Sequence, residues 1–203
     1  MNDTNMNLDC SYHISKIITQ IGVKNICICP GSRNTPLIIA FSNNSNFSCT
    51  SHIDERSAAF FALGMSKKNN IPSVLISTSG TAIANFFPAI IESSLSKIPL
   101  IIITADRPSY LINTGENQTI NQKNIYGDYV RKFKSLEPSN ENNENLDEEE
   151  LLSLLECSQG TPQSPPGPIH INIAFDEPLI PKIVNKKIAN ASIIEKKLLI
   201  NGY

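Results

Sequence analysis

The chain has 203 residues, of which 40% are hydrophobic, and a net charge of −2. That is enough for one sizeable α/β domain with a core of its own. With only four arginines (Arg33, Arg56, Arg107 and Arg131) there is no basic field to suggest nucleic acid, and no apolar run is long enough to span a bilayer.

The N-terminus "MNDTNMNLDC" is polar and acidic, unlike a signal peptide. Residues 11–22, "SYHISKIITQIG", place apolar side chains at helical spacing and stop at Gly22. "NICICP" (25–30) is a short strand ended by Pro30-Gly31. Cys27 and Cys29 alternate there with isoleucines, and the five cysteines show no repeated CxxC spacing. They read as buried strand positions in a reducing compartment rather than metal ligands, which makes a soluble protein of the cytoplasm, or of the plastid stroma or an equivalent organelle compartment if plastid-encoded, the expectation. "SRNTPLIIAFSNN" (32–44) predicts a second helix and "FSCTSHID" (47–54) a strand. "ERSAAFFALGMSKKNN" (55–70) predicts a helix, "SVLIST" (73–78) a strand, "TAIANFFPAIIESSLSK" (81–97) a helix and "PLIIITAD" (99–106) a strand. The helix from 81 carries apolar residues all round, including Phe86, Phe87, Ile90 and Ile91, so it demands cover on every side. The acidic stretch "NENNENLDEEE" (140–150) reads as a solvated loop feeding a helix at "LDEEELLSLLEC". A last strand alternates from Ile169 to Phe175.

Strands apolar on both sides are buried on both faces, as in a parallel sheet covered by helices. The expected architecture is therefore a three-layer α/β/α domain with a mainly parallel central sheet. It occupies residues 1–182, and residues 183–203 read as a linker or the start of a further domain. In such a sheet ligands bind at the carboxyl ends of the strands. Four turns qualify: "CPGSRNTP" (29–36), "HIDERSA" (52–58), "STSGTA" (77–82) and "TADRPSYLINTGENQTINQ" (104–122). They carry Ser32, Arg33, Asp54, Glu55, Ser79, Gly80, Thr81, Arg107, Asn117 and Gln118. Each has a structural reading too. Ser32 and Asp54 suit helix caps, and "TSGTA" lacks the lysine of a phosphate-binding loop.

In combination, "CPGSRNTPL", "HIDERSAAFFALG", "STSGTA", "ITADRP", "ENQTINQ" and "GPIHINIAFDEPL" resemble the N-terminal pyrimidine-binding domain of thiamine diphosphate enzymes. More closely, they are similar to the 2-succinyl-5-enolpyruvyl-6-hydroxy-3-cyclohexene-1-carboxylate synthase family (MenD) of menaquinone and phylloquinone biosynthesis. The resemblance runs from about Ser11 to Pro181. It implies that Glu55 binds N1′ of the cofactor's aminopyrimidine and drives removal of the C2 proton, a task that burial of the carboxylate would favour. The apolar run after Glu55 is expected to supply that surround. Ser79, Gly80 and Thr81 are implied to bind the cofactor with it. Arg33 and Arg107 would bind carboxylates of 2-oxoglutarate and isochorismate, with Ser32, Asn117 and Gln118 adding hydrogen bonds. Asp54 and Arg56 are expected to be structural.

Thiamine diphosphate and Mg2+ are the implied cofactors. The motif that binds magnesium and diphosphate in this superfamily, a GDG followed by a later Asn, does not occur in the chain. Half of the active site is thus expected here. The other half would lie on a diphosphate-binding domain of the same enzyme, which would be a homo-oligomer when complete. Two alternatives stand beside this reading: another thiamine diphosphate carboligase with a different donor, and a non-catalytic binding or assembly module.

Overall fold

The structure is a computed structural model and describes residues 5–138 and 147–181. The expected linker at 183–203, and the acidic stretch through residue 146, lie outside the described residues. Six strands form one sheet: β1 (Asn25–Cys29), β2 (Ser48–Ser51), β3 (Ser73–Ser77), β4 (Leu100–Asp106), β5 (Phe133–Leu136) and β6 (Pro168–Ala174). The strand order is β2-β1-β3-β4-β6-β5, and every pairing is parallel. Helices α1 (Met6–Gln20), α2 (Thr35–Ser42), α3 (Glu55–Asn69), α4 (Phe87–Leu95) and α5 (Glu148–Glu156) cover it.

Strand alternation builds the three layers. Ile26 and Ile28 of β1, with Ile101 and Ile103 of β4, face a cluster completed by Ile14, Ile17 and Ile18 of α1, Leu37 and Phe41 of α2, and Leu151 and Leu155 of α5. Cys27 and Cys29, with Leu75, Leu100 and Ile102, face the opposite way. They meet Ala58, Ala59 and Ala62 of α3, Phe86, and Ala89 and Ile90 of α4. The expected three-layer fold is the one formed, and Cys27 and Cys29 are buried strand residues.

Local differences have local causes. The helix expected at 81–97 divides into a 3-10 segment, Gly80–Phe86, and α4, with Pro88 in the first turn of α4. Proline has no N–H to donate and suits a helix start better than a helix interior. Phe86 and Ile90 are fully buried and Phe87 and Ile91 half-buried, while Pro88, Glu92 and Leu95 (71%) are exposed, so the segment is covered on one side and not all round. Helix α2 starts at Thr35, not residue 32, with Pro36 in its first turn. Strand β2 is an exposed edge strand rather than a doubly buried one. Strand β5, the other edge, has the short polar sequence "FKSL", which gives no period to read.

Parallel pairing puts the carboxyl ends of all strands on one edge of the sheet. The chain leaves β1 for β2 on one side, then returns to place β3 on the other side of β1. The loops after β1 and β3 therefore part at a topological switch point, the place where open α/β sheets bind ligands.

Candidate active site

The loops after β1 and β3 approach each other closely at the switch point. A Cβ on Gly31 would lie 2.5 Å from Cβ of Thr78, so only glycine fits. Beyond Gly31, the buried Asn34 side chain holds the turn. It accepts the Gly31 N–H at 2.9 Å and donates to the Cys29 carbonyl at 2.9 Å. This corrects the expected cap: Ser32 is exposed, and among the described residues it bonds through its carbonyl, which accepts from the Thr35 N–H and hydroxyl. Arg33 follows, donating from Nη1 to the Phe175 carbonyl at 3.0 Å and pairing with Glu177 at 3.3 Å.

After β2 the chain turns into α3. Asp54 is its N-cap, accepting the Ser57 N–H at 2.6 Å, and Lys67 and Lys68 sit in the last turn. Those charges suit the helix dipole, so Asp54 is structural as expected. Glu55 opens the helix, half-buried. Its carboxylate makes no hydrogen bond or ion pair among the described residues. It lies close enough to Cys29 to help burial push that thiol up to about 12. The apolar run after Glu55 divides: Ala58, Ala59, Ala62 and Leu63 are buried, whereas Phe60 and Phe61 are 45% and 46% exposed. The expected apolar surround is therefore only half internal, because α3 turns one face to the sheet and the other outward.

The loop after β3 and the long segment after β4 form a clamp. Ser79 is buried; its hydroxyl donates to the Gln118 carbonyl at 3.0 Å and accepts from Arg107 Nη1. Gln118 returns the contact, its Nε2 donating to the Ser79 carbonyl at 3.0 Å. The Gly80 N–H donates to Gln122 at 2.8 Å, and Gly80 has φ +84°, a conformation that glycine adopts without strain. Arg107 Nη1 also reaches the Gln118 carbonyl at 3.3 Å, while its Nε is buried with no hydrogen-bond partner among the described residues. Burial first, and the neighbouring Arg33 guanidinium second, pull the Arg107 pKa down from its ordinary value. The two guanidiniums are thus held near each other, with Arg33 paired to Glu177. Thr81 and Asn117 are exposed, and their side chains make no hydrogen bond among the described residues. Ser79, Gly80, Arg107 and Gln118 are thus directly joined, with Arg33 near Arg107, whereas Ser32, Thr81 and Asn117 stand apart from these contacts.

Sequence reasoning missed the support beneath this clamp. Gln122, Asn172, Thr104 and His170 are buried and bonded in series. A signal was present: His170 and Asn172 sit two apart in the isoleucine-rich strand "PIHINIA", hence on one face of a buried strand. Among the described residues no cluster of three or more His, Cys, Asp or Glu could hold a metal ion. No helix among them is long and apolar enough to cross a membrane.

The chain is similar to known proteins over most of its length. Residues 9–125 match the family described as thiamine pyrophosphate enzyme, N-terminal TPP binding domain. A 2-succinyl-5-enolpyruvyl-6-hydroxy-3-cyclohexene-1-carboxylate synthase of Chlorobium phaeobacteroides (strain BS1) is 48% identical over 162 residues, covering 79% of this chain and 27% of the relative. Enzymes of the same name from Natronomonas pharaonis and Pelodictyon phaeoclathratiforme are 42% and 44% identical. The first covers 81% of this chain and 28% of itself, the second 98% and 33%. The chain thus spans about a third or less of the length of these curated relatives. Glu55, Ser79, Arg107 and Gln118 all lie within the matched residues, and the chain belongs to the thiamine pyrophosphate enzyme family through its N-terminal TPP binding domain.

Proposed function

We propose that this chain supplies the pyrimidine-binding half of a 2-succinyl-5-enolpyruvyl-6-hydroxy-3-cyclohexene-1-carboxylate synthase. The reaction decarboxylates 2-oxoglutarate and adds the remaining four-carbon unit to isochorismate, in menaquinone or phylloquinone biosynthesis. One observation carries the reading. Among the described residues, a half-buried carboxylate without a bonded partner, Glu55, and a guanidinium with an unused buried donor, Arg107, lie on the same edge of the sheet. Identity of 48% to a synthase of that name supports the choice of substrates.

The residues present suit the aminopyrimidine. Glu55, with no bonded partner among the described residues, is free to bond N1′, and glycine at 31 and 80 lets the turns pack against Thr78 and Gln118. Thiamine diphosphate, when bound, supplies the electron sink for loss of carbon dioxide from a 2-oxo acid. Glu55 holds and exchanges the proton at N1′. Ser79, Gly80 and Thr81 line the cofactor side. Arg107 and Arg33 hold substrate carboxylates, both substrates being dicarboxylates, and Ser32, Asn117 and Gln118 add hydrogen bonds. The described residues do not suit magnesium, and no step is assigned to it on this chain. Magnesium and the diphosphate belong to a separate diphosphate-binding domain, on the same or another polypeptide. Residues 1–182 are the proposed pyrimidine domain and 183–203 the proposed linker, within a homo-oligomer. The proposed compartment is the cytoplasm, where the five cysteines, all present as thiols, stay reduced.

The test is reconstitution. The assembled enzyme, meaning this chain together with its diphosphate-binding domain, should form product from 2-oxoglutarate and isochorismate with thiamine diphosphate and magnesium. The chain alone should form none. Product from the chain alone, or an assembled enzyme that accepts pyruvate in preference to 2-oxoglutarate, overturns the reading.

A further inference from the structure

Gln122 is 1% exposed and uses both ends of its amide. Oε1 accepts the Gly80 N–H at 2.8 Å, while Nε2 donates to the Ala105 carbonyl at 3.1 Å and to Asn172 Oδ1 at 2.8 Å. Behind it, the Thr104 hydroxyl donates to Asn172 Oδ1 at 2.7 Å, and His170 Nε2 lies 2.8 Å from Thr104 Oγ1. Asn172 Nδ2 donates to Asp106 Oδ2 at 2.8 Å, and Asp106 Oδ1 accepts the Arg107 N–H at 2.7 Å.

The direction of every bond follows from its ends. A backbone N–H at Gly80 can only donate and a carbonyl at Ala105 can only accept, so the Gln122 amide has a single orientation. Asn172 must then turn Oδ1 to Gln122 and its NH2 to Asp106. Thr104 gives its only proton to Asn172 and so accepts from His170 Nε2–H. Burial pushes the His170 pKa down to about 3, which keeps the ring neutral and suits this single-donor role.

A buried, directionally fixed network rigidifies what it touches. This one touches Gly80, the Arg107 backbone and the end of the 117–122 segment. Those are the three pieces of chain that bring Ser79, Arg107 and Gln118 together. Gln118 itself sits at φ 55°, a conformation that a non-glycine residue keeps only when its surroundings hold it there.

We propose that Gln122 is a positioning residue. Through Gly80 on one side and Asn172–Asp106 on the other, it fixes the Ser79–Gln118–Arg107 clamp in the geometry that receives the carboxylate of the 2-oxo acid. This rests on the reading of Arg107 as a carboxylate site, so the experiment separates the two. In the assembled enzyme, Gln122→Met should raise KM for 2-oxoglutarate on the order of tenfold with kcat nearly unchanged. In an Arg107→Gln background the same change should add about twofold or less, because both act on one interaction. In the 203-residue chain itself, Gln122→Met should speed hydrogen exchange of the Gly80 amide. If Gln122→Met does not fold, Thr104→Val weakens the network from behind with shape preserved. It should raise KM in the same direction, and Thr104→Ser should restore it. Additive KM effects of Gln122→Met and Arg107→Gln, or an unchanged Gly80 exchange rate, overturn the proposal while leaving the Arg107 reading intact. An unchanged KM in Arg107→Gln alone overturns the Arg107 reading and the proposal with it.

Discussion

Two regions on the same edge of the sheet are built in opposite ways. At the carboxyl ends of β4 and β6, the side chains of Thr104, Gln122 and Asn172 are buried and matched to internal partners. At the end of β2, Ile53 is 99% exposed, Glu55 has no internal partner among the described residues, and Phe60 and Phe61 stand outward. The first region is a finished piece of protein interior. The second has its backbone fixed by the Asp54 cap but its side chains left open. On the proposed reading of the chain as part of a composite active site, the closed half would orient ligand and the open half would receive the surface of another domain.

The largest break in that contrast should come from the closed region. Asn172→Leu removes the partner of Gln122, Thr104 and Asp106 at once and strands buried polar groups, one of them a carboxyl. Denaturant unfolding of the chain should report a loss of about 3 kcal/mol or more. Ile53→Ser, in the open region, should stay within about 0.5 kcal/mol. Equal losses would mean that the two regions do not differ as described.

Acid should find the closed region next. The His170 pKa is lowered from 6.5 to about 3 by burial, so between those values the unfolded chain binds the extra proton. Stability from this group is fully present above pH 6.5 and falls as the pH drops towards 3, by up to about 1.4 kcal/mol per pH unit. Asp106, whose pKa burial raises, acts in the opposite sense at the acid end of that window. Stability measured against pH should therefore be flatter in His170→Gln than in the natural chain. An unchanged slope would show that His170 accepts a proton in the folded state.

Between the two regions, at the switch point, Gly31→Ala should cost about 1–3 kcal/mol through collision with Thr78, read as a fall in melting temperature. A variant as stable as the natural chain would mean that the two loops separate freely there. The smallest of the stability effects that remain measurable is Asp54→Ala, about 1 kcal/mol for loss of the α3 cap. No change in melting would make the cap incidental.

The layers, the parallel sheet and the edge carrying the four turns were all legible in the sequence, because doubly buried strands read as unbroken apolar runs. Edge strands were less so: the strand read at 47–54 is the shorter, exposed β2, and β5, short and polar, was missed. The motif residues were legible as candidates, yet their grouping was not. Nothing in the sequence says that Arg107 reaches Ser79 while Asn117, ten residues on, makes no side-chain bond among the described residues. The Gln122–Asn172–His170 support was readable only as polar residues in places that should be apolar. That pattern tells of a partner without naming it.

The proposed chemistry rests on Glu55 in the open region, and one measurement tests it most directly. In the assembled enzyme, Glu55→Gln keeps the size and hydrogen-bonding shape of the side chain but removes its exchangeable carboxyl proton. Hydrogen–deuterium exchange at C2 of the bound cofactor should fall by about 10²–10⁴-fold, the usual cost of losing an acid–base group, while the melting temperature barely moves. Unchanged exchange together with a lowered melting temperature would contradict the account and leave Glu55 as a charge that steadies the start of α3.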